Sequence, residues 1–485
     1  MENQIKLGEV DISAIQFDLR SRDDIPRLLL GLQYIHGNTK LRNRVFGILE
    51  KIVPEGVNFQ NGRPGMHLWR ILVLGTLRLI CNWDYDRLHE MANNHKKIRE
   101  MLGHGLKDKD YVYPLQTLKD NISLFTPEVL NKINLAVVCA GHNFLGKKKD
   151  EELNGRCDSF VVETNVHYPT DINLLLDATR KVISLTTAAC REVGVRGWRQ
   201  SEHNLRIVKR LFRKAQNVYR SKPKSEKKKA KKEQLIKEAH ISYIEVVNSF
   251  LLKAKETLIT LRIQTDISDE KIQTIEHYLS HAEKQIDQID RRVLRGEVIP
   301  HNEKIFSIFE EHTEWISKGK AGVPQELGLR VCILEDQYGF ILHHLVMEKE
   351  TDAKVAIPIT LGAKERFSTL SSCSYDKGFY TPNNKKELSE TLNRITLPKK
   401  GKLSSKDKEI EFSEEFIRSK YQHAAIESAI NALENHSLDR CPDRGLDGFK
   451  RYVALAMLAR NIQILGNKVH QQQLKKLKRK YKQAA

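Results

Sequence analysis

One isolated strand signal constrains this chain more than any other feature. Ser159 to Val162 is a β-branched and aromatic run of strand type, inside the stretch Cys157–Asp171. The next strand signals come only at Gly328, after about 150 residues of mostly helical pattern. Pro169 with Thr170 or Asp171 reads as a helix start, and Ile172, Leu174, Leu175 and Leu176 follow. Leu174–Val193 reads as one helix. Ser201–Leu261 reads as a long charged one, with Pro223 as its candidate break. Asp269–Val293 repeats Ile272, Ile275, Leu279, Ala282, Ile286 and Ile289, a narrow apolar stripe suited to a helical hairpin or coiled coil. We read the helical stretch as an insertion into an α/β domain, not as a second fold in tandem.

The strands resume with Leu329–Leu334, a hairpin turn at Asp336–Gly339, and Phe340–Met347. A short helix is expected around Asp352–Ile359 or just after it. Thr369–Asp376 then delivers an aspartate into the glycine turn Lys377-Gly378-Phe379, and sites in open α/β sheets gather at such strand ends. Pro398–Lys408 reads as a basic loop. Ser413–Leu433 reads as one helix, on which His423, Glu427 and Glu434 share roughly one face. Leu438–Gly445 is a loop, and Phe449–Leu465 an apolar helix. Upstream, Met66–Cys81, Tyr85–Ala92, Lys96–Leu102 and Leu115–Leu124 make short helices with tight turns. They form either a helix-turn-helix-like module, with Lys96–Leu102 or Leu115–Leu124 as its recognition helix, or an ordinary bundle. The expected class is α/β, mostly helical overall. Its divisions are an N-terminal helical region over 1–145, the first part of the α/β domain over 146–175, the insertion over 176–320, the second part over 321–465, and a basic tail over 466–485.

Charge points to a partner. The chain of 485 residues carries a formal net charge of +19. Residues 206–232 hold 13 basic side chains against the single acid Glu226, and residues 466–485 hold seven against none. These two segments account for the whole excess. Two cationic stretches on a neutral body suit a polyanion, although each is also readable as a solvated helix face. The seven cysteines are scattered and show no Cys-x-x-Cys spacing, which argues against a disulfide framework and a zinc site and fits a reduced compartment. No apolar run approaches about 18 residues, so no membrane span is expected.

The acids supply the chemistry. Asp158 lies on the opening strand, Asp376 at the end of a later one, and Glu427 on a following helix. Three carboxylates meeting at a sheet end suit two hard divalent cations, Mg²⁺ or Mn²⁺. Such a pair, about 4 Å apart, activates a water or a 3′-hydroxyl for in-line displacement at a phosphodiester. Glu163 and Asp171 compete with Asp158, and Glu434 with Glu427. Asp171 is also a helix cap, and Asp336 reads as a turn residue. The candidate DNA contacts are Lys227, Lys228, Lys229, Lys231, Lys232, Lys475, Lys476, Lys478, Arg479 and Lys480 in the basic segments. Nearer the acids they are His423, Arg440 and Arg444.

Three stretches carry a family resemblance: Val161–Asp171, Ser374–Asn383, and Glu427 with Leu438–Gly445. With them the chain resembles the DDE-type transposases of bacterial insertion sequences, most closely the ISNCY group, over residues 40 to 466. The resemblance implies an RNase H-like catalytic domain with the acids at Asp158, Asp376 and Glu427 and two Mg²⁺ or Mn²⁺ ions. It implies double-stranded DNA partners, namely terminal inverted repeats bound by the N-terminal helices and a target DNA. It also implies hydrolysis at the 3′ ends followed by strand transfer, a homodimer or higher assembly, and a bacterial, nucleoid-associated cytoplasmic setting. Relatives carry a tyrosine and an arginine before the glutamate and a lysine after it. Here His423, Tyr421, Lys420 and Glu434 stand at or near those places. The rival readings are an RNase H-like endonuclease without strand transfer and an inactive domesticated transposase acting as a regulator. A serine or tyrosine recombinase would need Arg/His clusters that the chain does not show around Ser374 or Tyr421.

Overall fold

The computed structural model describes residues 10–52, 66–105, 108, 110–221, 225–264, 266–317 and 325–484. The chain divides into two units. One is formed by Met1–Asn165 with Glu314–Ala485, the other by Val166–Thr313.

The first unit opens with α1 (Asp24–Gly37) and α2 (Thr39–Leu49). Asp23 caps the first by accepting from the Ile25 N–H, and Asn38 caps the second by accepting from Leu41. α3 (Leu68–Ile80), α4 (Tyr85–Asn94), α5 (Lys96–Met101) and α6 (Leu115–Ile122) follow where the sequence pattern places them. α7 (Pro127–Phe144), with proline in its first turn and Thr126 as its cap, is an addition to the expected elements. The strand β1 (Leu153–Thr164) is far longer than its β-branched core.

The helical unit follows in the chain. It contains α8 (Asp171–Val193), α9 (Ser201–Arg220), α10 (Glu226–Gln264) and α11 (Asp269–Ile289). Thr170, not Asp171, caps α8, and Asp171 is ion-paired with Arg292 at 2.9 Å. Residues 222–224 are outside the described residues, so the expected break at Pro223 is too. The stripe Ile272, Ile275, Leu279, Ala282 and Ile289 is buried in one cluster with Leu175, Val182, Tyr243 and Val247, which gives this unit its own apolar core.

The first unit resumes with β2 (Glu314–Ser317), β3 (Gln325–Asp336), β4 (Ile341–Met347), α12 (Asp352–Arg366) and β5 (Leu370–Tyr375). Then come α13 (Pro382–Thr391), β6 (Arg394–Thr396), α14 (Ser405–Glu411), α15 (Glu414–His423), α16 (Ala425–Leu433), β7 (Arg440–Cys441) and α17 (Gly445–Ala484). These strands form one mixed sheet whose main path has the order β2-β3-β1-β5-β6. β4 pairs antiparallel with β3, and β3 antiparallel with β1, while β5, β6 and β7 run parallel to their neighbours. Asp336 does sit at the β3–β4 turn. It is fully buried there, accepting from the Tyr338 and Phe340 N–H groups and lying 2.6 Å from His142 Nε2.

Three expectations are corrected. The N-terminal helices do not form a region apart at residue 145, because they share one continuous core with the sheet and α17. Gly31 of α1 and Gly466 of α17 allow that approach: a Cβ at either would fall within 2.2 Å of a carbonyl oxygen on the other helix. The basic stretch 466–485 is not a tail but the end of α17, whose buried half runs through Val453, Leu458 and Ile462. Finally, Ser413–Leu433 is two helices that meet at Ala424.

Candidate active site

The parallel ladder of β1 with β5 ends at the pair Cys157–Tyr375. The next residue on each strand is an aspartate, Asp158 on β1 and Asp376 beyond β5. Neighbouring strands lie about 4.8 Å apart, and side chains at equal register share a face. Cys157 and Tyr375 point into the core with at most 1% exposure, so their successors turn to the other face. The two acids therefore start from adjacent backbones at the carboxyl end of a parallel pair, where open sheets place their sites.

Burial pushes the Asp158 carboxyl up to about 6, and the charges of Asp376, Asp352 and Glu427 push it the same way. The Ser159 N–H opposes this by donating to Asp158 Oδ1 at 2.7 Å. Glu427 comes from the first turn of α16, which packs on β1 beside the fully buried Ile426. Asp376 and Glu427 are exposed, and Asp158 is half-buried. The trio does not close into a cage. Among the described residues only a different group, in the helical unit, brings three potential ligand atoms within 4.8 Å of one another. Metal-free carboxylates repel, and a site for two ions spans more than one ligand-to-ligand distance.

Asp352 is a fourth acid at this place, and the sequence pattern assigns it nothing beyond opening a helix. It is the first residue of α12 and accepts from Ser159 Oγ at 2.6 Å. Its other oxygen is 4.0 Å from Arg330. Gly378, in the turn after Asp376, makes room for it, since a Cβ there would lie 3.1 Å from Asp352 Oδ2. The signal available was the pair Asp158-Ser159, an acid followed by a hydroxyl, but its partner is 193 positions away.

Other expected residues turn out differently. The ring of His423 is half-buried, with Nδ1 3.0 Å from Ser374 Oγ on β5, which ties it to the strand that ends at Asp376. Burial lowers its pKa, against the opposing pull of Asp376. Arg156 fastens the neighbourhood, donating to the Asp336 carbonyl at 2.9 Å and standing 3.1 Å from Glu335. Arg440 is paired with Glu163 at 2.7 Å. Glu163 is thereby engaged away from Asp158, and Arg444 is exposed.

The loop Leu438–Gly445 is a fastening. Asp443 is ion-paired with Arg78 at 2.8 Å and Arg451 at 3.2 Å, and the Arg78 guanidinium lies over the ring of Tyr85 at 4.0 Å. Ser437, at φ 82°, donates to the Leu79 carbonyl at 2.7 Å. The backbone N–H of Glu163 donates to the Asp439 carbonyl at 3.0 Å. The motif thus ties β1 and the start of α17 to α3.

Of the basic candidates, Lys228, Lys229 and Lys231 belong to α10 and are exposed there, while Lys232 lies over Tyr219 at 5.8 Å. Lys475, Lys476, Lys478 and Arg479 are on the last turns of α17, all four exposed. The side chains of Lys227 and Lys480 lie outside those described. No single helix among the described residues is long and apolar enough to cross a membrane.

No protein-family model matches this chain, and comparisons with curated proteins and with solved structures return no match either.

Proposed function

We propose that the protein is a metal-dependent DNA strand transferase of the DDE type, built on an RNase H-like domain interrupted by a helical insertion. One observation carries the reading. Asp158 and Asp376 leave adjacent parallel strands at one register step, and Asp158 feels the charges of both Asp376 and Glu427. The strand order supports it as well. Setting aside the four-residue β2, the acids sit on the first strand, at the end of the fourth, and on a later helix, as the resemblance requires.

The residues fit Mg²⁺ or Mn²⁺. The donors are all carboxylate oxygens, and a half-buried acid whose charge is disfavoured by three others is relieved by a cation. Asp158, Asp376 and Glu427 would hold the ions, with Asp352 at the margin. When bound, two such ions supply the Lewis acidity that activates a water or hydroxyl and steadies the leaving oxygen. The chain's own part is positional. The Ser159 N–H fixes one oxygen of Asp158, while Ser159 Oγ holds Asp352. The lysines of α10 and the α17 terminus would neutralise phosphates, and the N-terminal helices would read the terminal repeats. In strand transfer one phosphodiester bond breaks as another forms, so no energy-rich cofactor is required.

The test uses purified full-length protein, Mg²⁺ and DNA carrying the inverted repeats that flank the gene. The expected products are 3′-end cleavage and joined strands, both lost in Asp376→Ala. Undiminished joining by that variant would sink the assignment, and cleavage without joining by the native protein would identify an endonuclease.

A further inference from the structure

The helical unit carries a group of metal-type ligands that the strand-transfer reading does not use. His277 and His281 stand one turn apart on α11, so both imidazoles leave the same helix face. Glu311 comes from the segment after the helix. Its Oε1 lies 2.8 Å from His277 Nε2 and 2.8 Å from His281 Nε2. The two rings are perpendicular with centroids 4.6 Å apart, and the three ligand atoms lie within 4.8 Å of one another. It is the one such trio among the described residues.

We propose that His277, His281 and Glu311 bind a single Zn²⁺ ion that clips the segment 301–313 onto α11. Two imidazole nitrogens and one carboxylate oxygen are the donors this borderline ion takes, and three protein ligands leave a position for water. Zinc ligands in a tetrahedron lie roughly 3.3 Å apart, so each 2.8 Å pair opens only slightly to admit the ion. Both rings now share one oxygen through Nε2. Coordination places the ring proton on Nδ1 and frees the Nε2 lone pair.

The ligands are held before any ion arrives. Ile275, Leu279 and Ala282 bury the opposite side of α11 in the core of the unit, and the His281 side chain is only 10% exposed. On the other side, Ile308 is buried in the same core. Ser307 Oγ accepts from the Phe309 and Glu310 N–H groups at 3.2 and 3.0 Å, which sets the turn leading to Glu311. Ligands fixed by packing lose little freedom on binding. The set also differs in kind from the carboxylates of the sheet, which suit Mg²⁺.

The experiment is a Co²⁺ titration of the full-length protein, read by the visible ligand-field bands of low-coordinate cobalt, with Zn²⁺ as the competitor. One equivalent should bind with bands that Zn²⁺ erases, and Zn²⁺ should raise the melting temperature. His281→Ala should weaken Co²⁺ binding at least about tenfold, by comparison with the 10–100-fold cost of losing even an outer-sphere partner. Glu311→Gln keeps the shape of its side chain and should weaken binding too, so the test survives misfolding of the histidine variant. Asp158→Asn with Asp376→Asn should leave the bands intact. Absence of bands at one equivalent overturns the proposal, as does their survival in His277→Ala with His281→Ala, or their loss in the double aspartate variant.

Discussion

The two clusters of ligand-type side chains differ in how they are held. Around Asp158 the acids sense one another without closing, and β1 and β3 beside them carry buried polar pairs, His142 with Asp336 and Arg156 with Glu335. Around His281 the ligand atoms already touch, but the surrounding ion pairs, such as Arg262–Glu276 and Lys271–Glu192, lie in solvent. A frame with buried pairs fixes backbone positions and leaves charge to be satisfied by something that binds. A helical surface satisfies its charges locally and offers a site only where side chains happen to converge. The difference teaches that a cluster can be marked by unsatisfied charge on a rigid frame or by ligand atoms already in contact. The two clusters call for different cations: mutually repelling carboxylates suit hard divalent ions, and the imidazole–carboxylate trio suits zinc.

Four comparisons probe that contrast, from the strongest to the weakest. Asp376→Ala should lower Mg²⁺-dependent DNA joining by at least about 10³-fold, while His281→Ala leaves joining within a few-fold of native. An equal loss in both, measured by gel-resolved products, would erase the distinction. Asp443→Ala leaves the Arg78 guanidinium buried without its carboxylate, with 3% of that side chain exposed. It should cost about 3–5 kcal/mol in urea unfolding. Glu276→Ala, which breaks an exposed pair, should cost under about 1 kcal/mol.

The third comparison concerns pH. The Asp158 carboxyl is raised in the folded protein from 3.8 to about 6, so between those values the folded state holds more protons than the unfolded one. The contribution of Asp158 to metal-free stability should therefore fall as pH rises through that window, by up to about 3 kcal/mol. Asp158→Asn should remove this fall, making the variant the more stable protein at about pH 7 and no more stable at about pH 4. Thermal melts at the two values check it, and Mg²⁺ should stabilise only the native chain at the higher one. The mildest change is Lys475→Gln with Lys476→Gln. It should weaken DNA binding evenly across sequences and reduce the slope of log K against log salt by about one for each phosphate no longer neutralised.

The parts legible in the sequence were those written in local spacing. The β-branched run at Ser159–Val162 marks β1, the three-and-four stripe from Ile272 to Ile289 marks α11, and Asp336–Gly339 marks the hairpin. Asp376 sits where a strand pattern meets a turn, whereas Asp158 lies within β1 and only the β1–β5 pairing sets the two on neighbouring backbones. Asp352 is not legible, since its hydrogen bond joins it to Ser159 across more than a third of the chain. Uninterrupted helical spacing would put His423 beside Glu427 on one surface. The chain breaks instead at Ala424 into two short helices that each pack on the sheet, and His423 hydrogen-bonds Ser374 on β5. Asp443 looks like part of a functional motif, and only its partners Arg78 and Arg451 identify it as a brace.

By itself, the sequence determined the alternation of strand and helix, the long helical interruption and the supply of acids and bases, because hydrophobic periodicity and capping act within a few residues. The tertiary structure alone decided which acids adjoin, that α17 runs on through the basic end, and that two histidines and a glutamate face one another in the helical unit. Those outcomes depend on which apolar faces bury each other, and burial joins residues whose positions in the chain carry no information about one another.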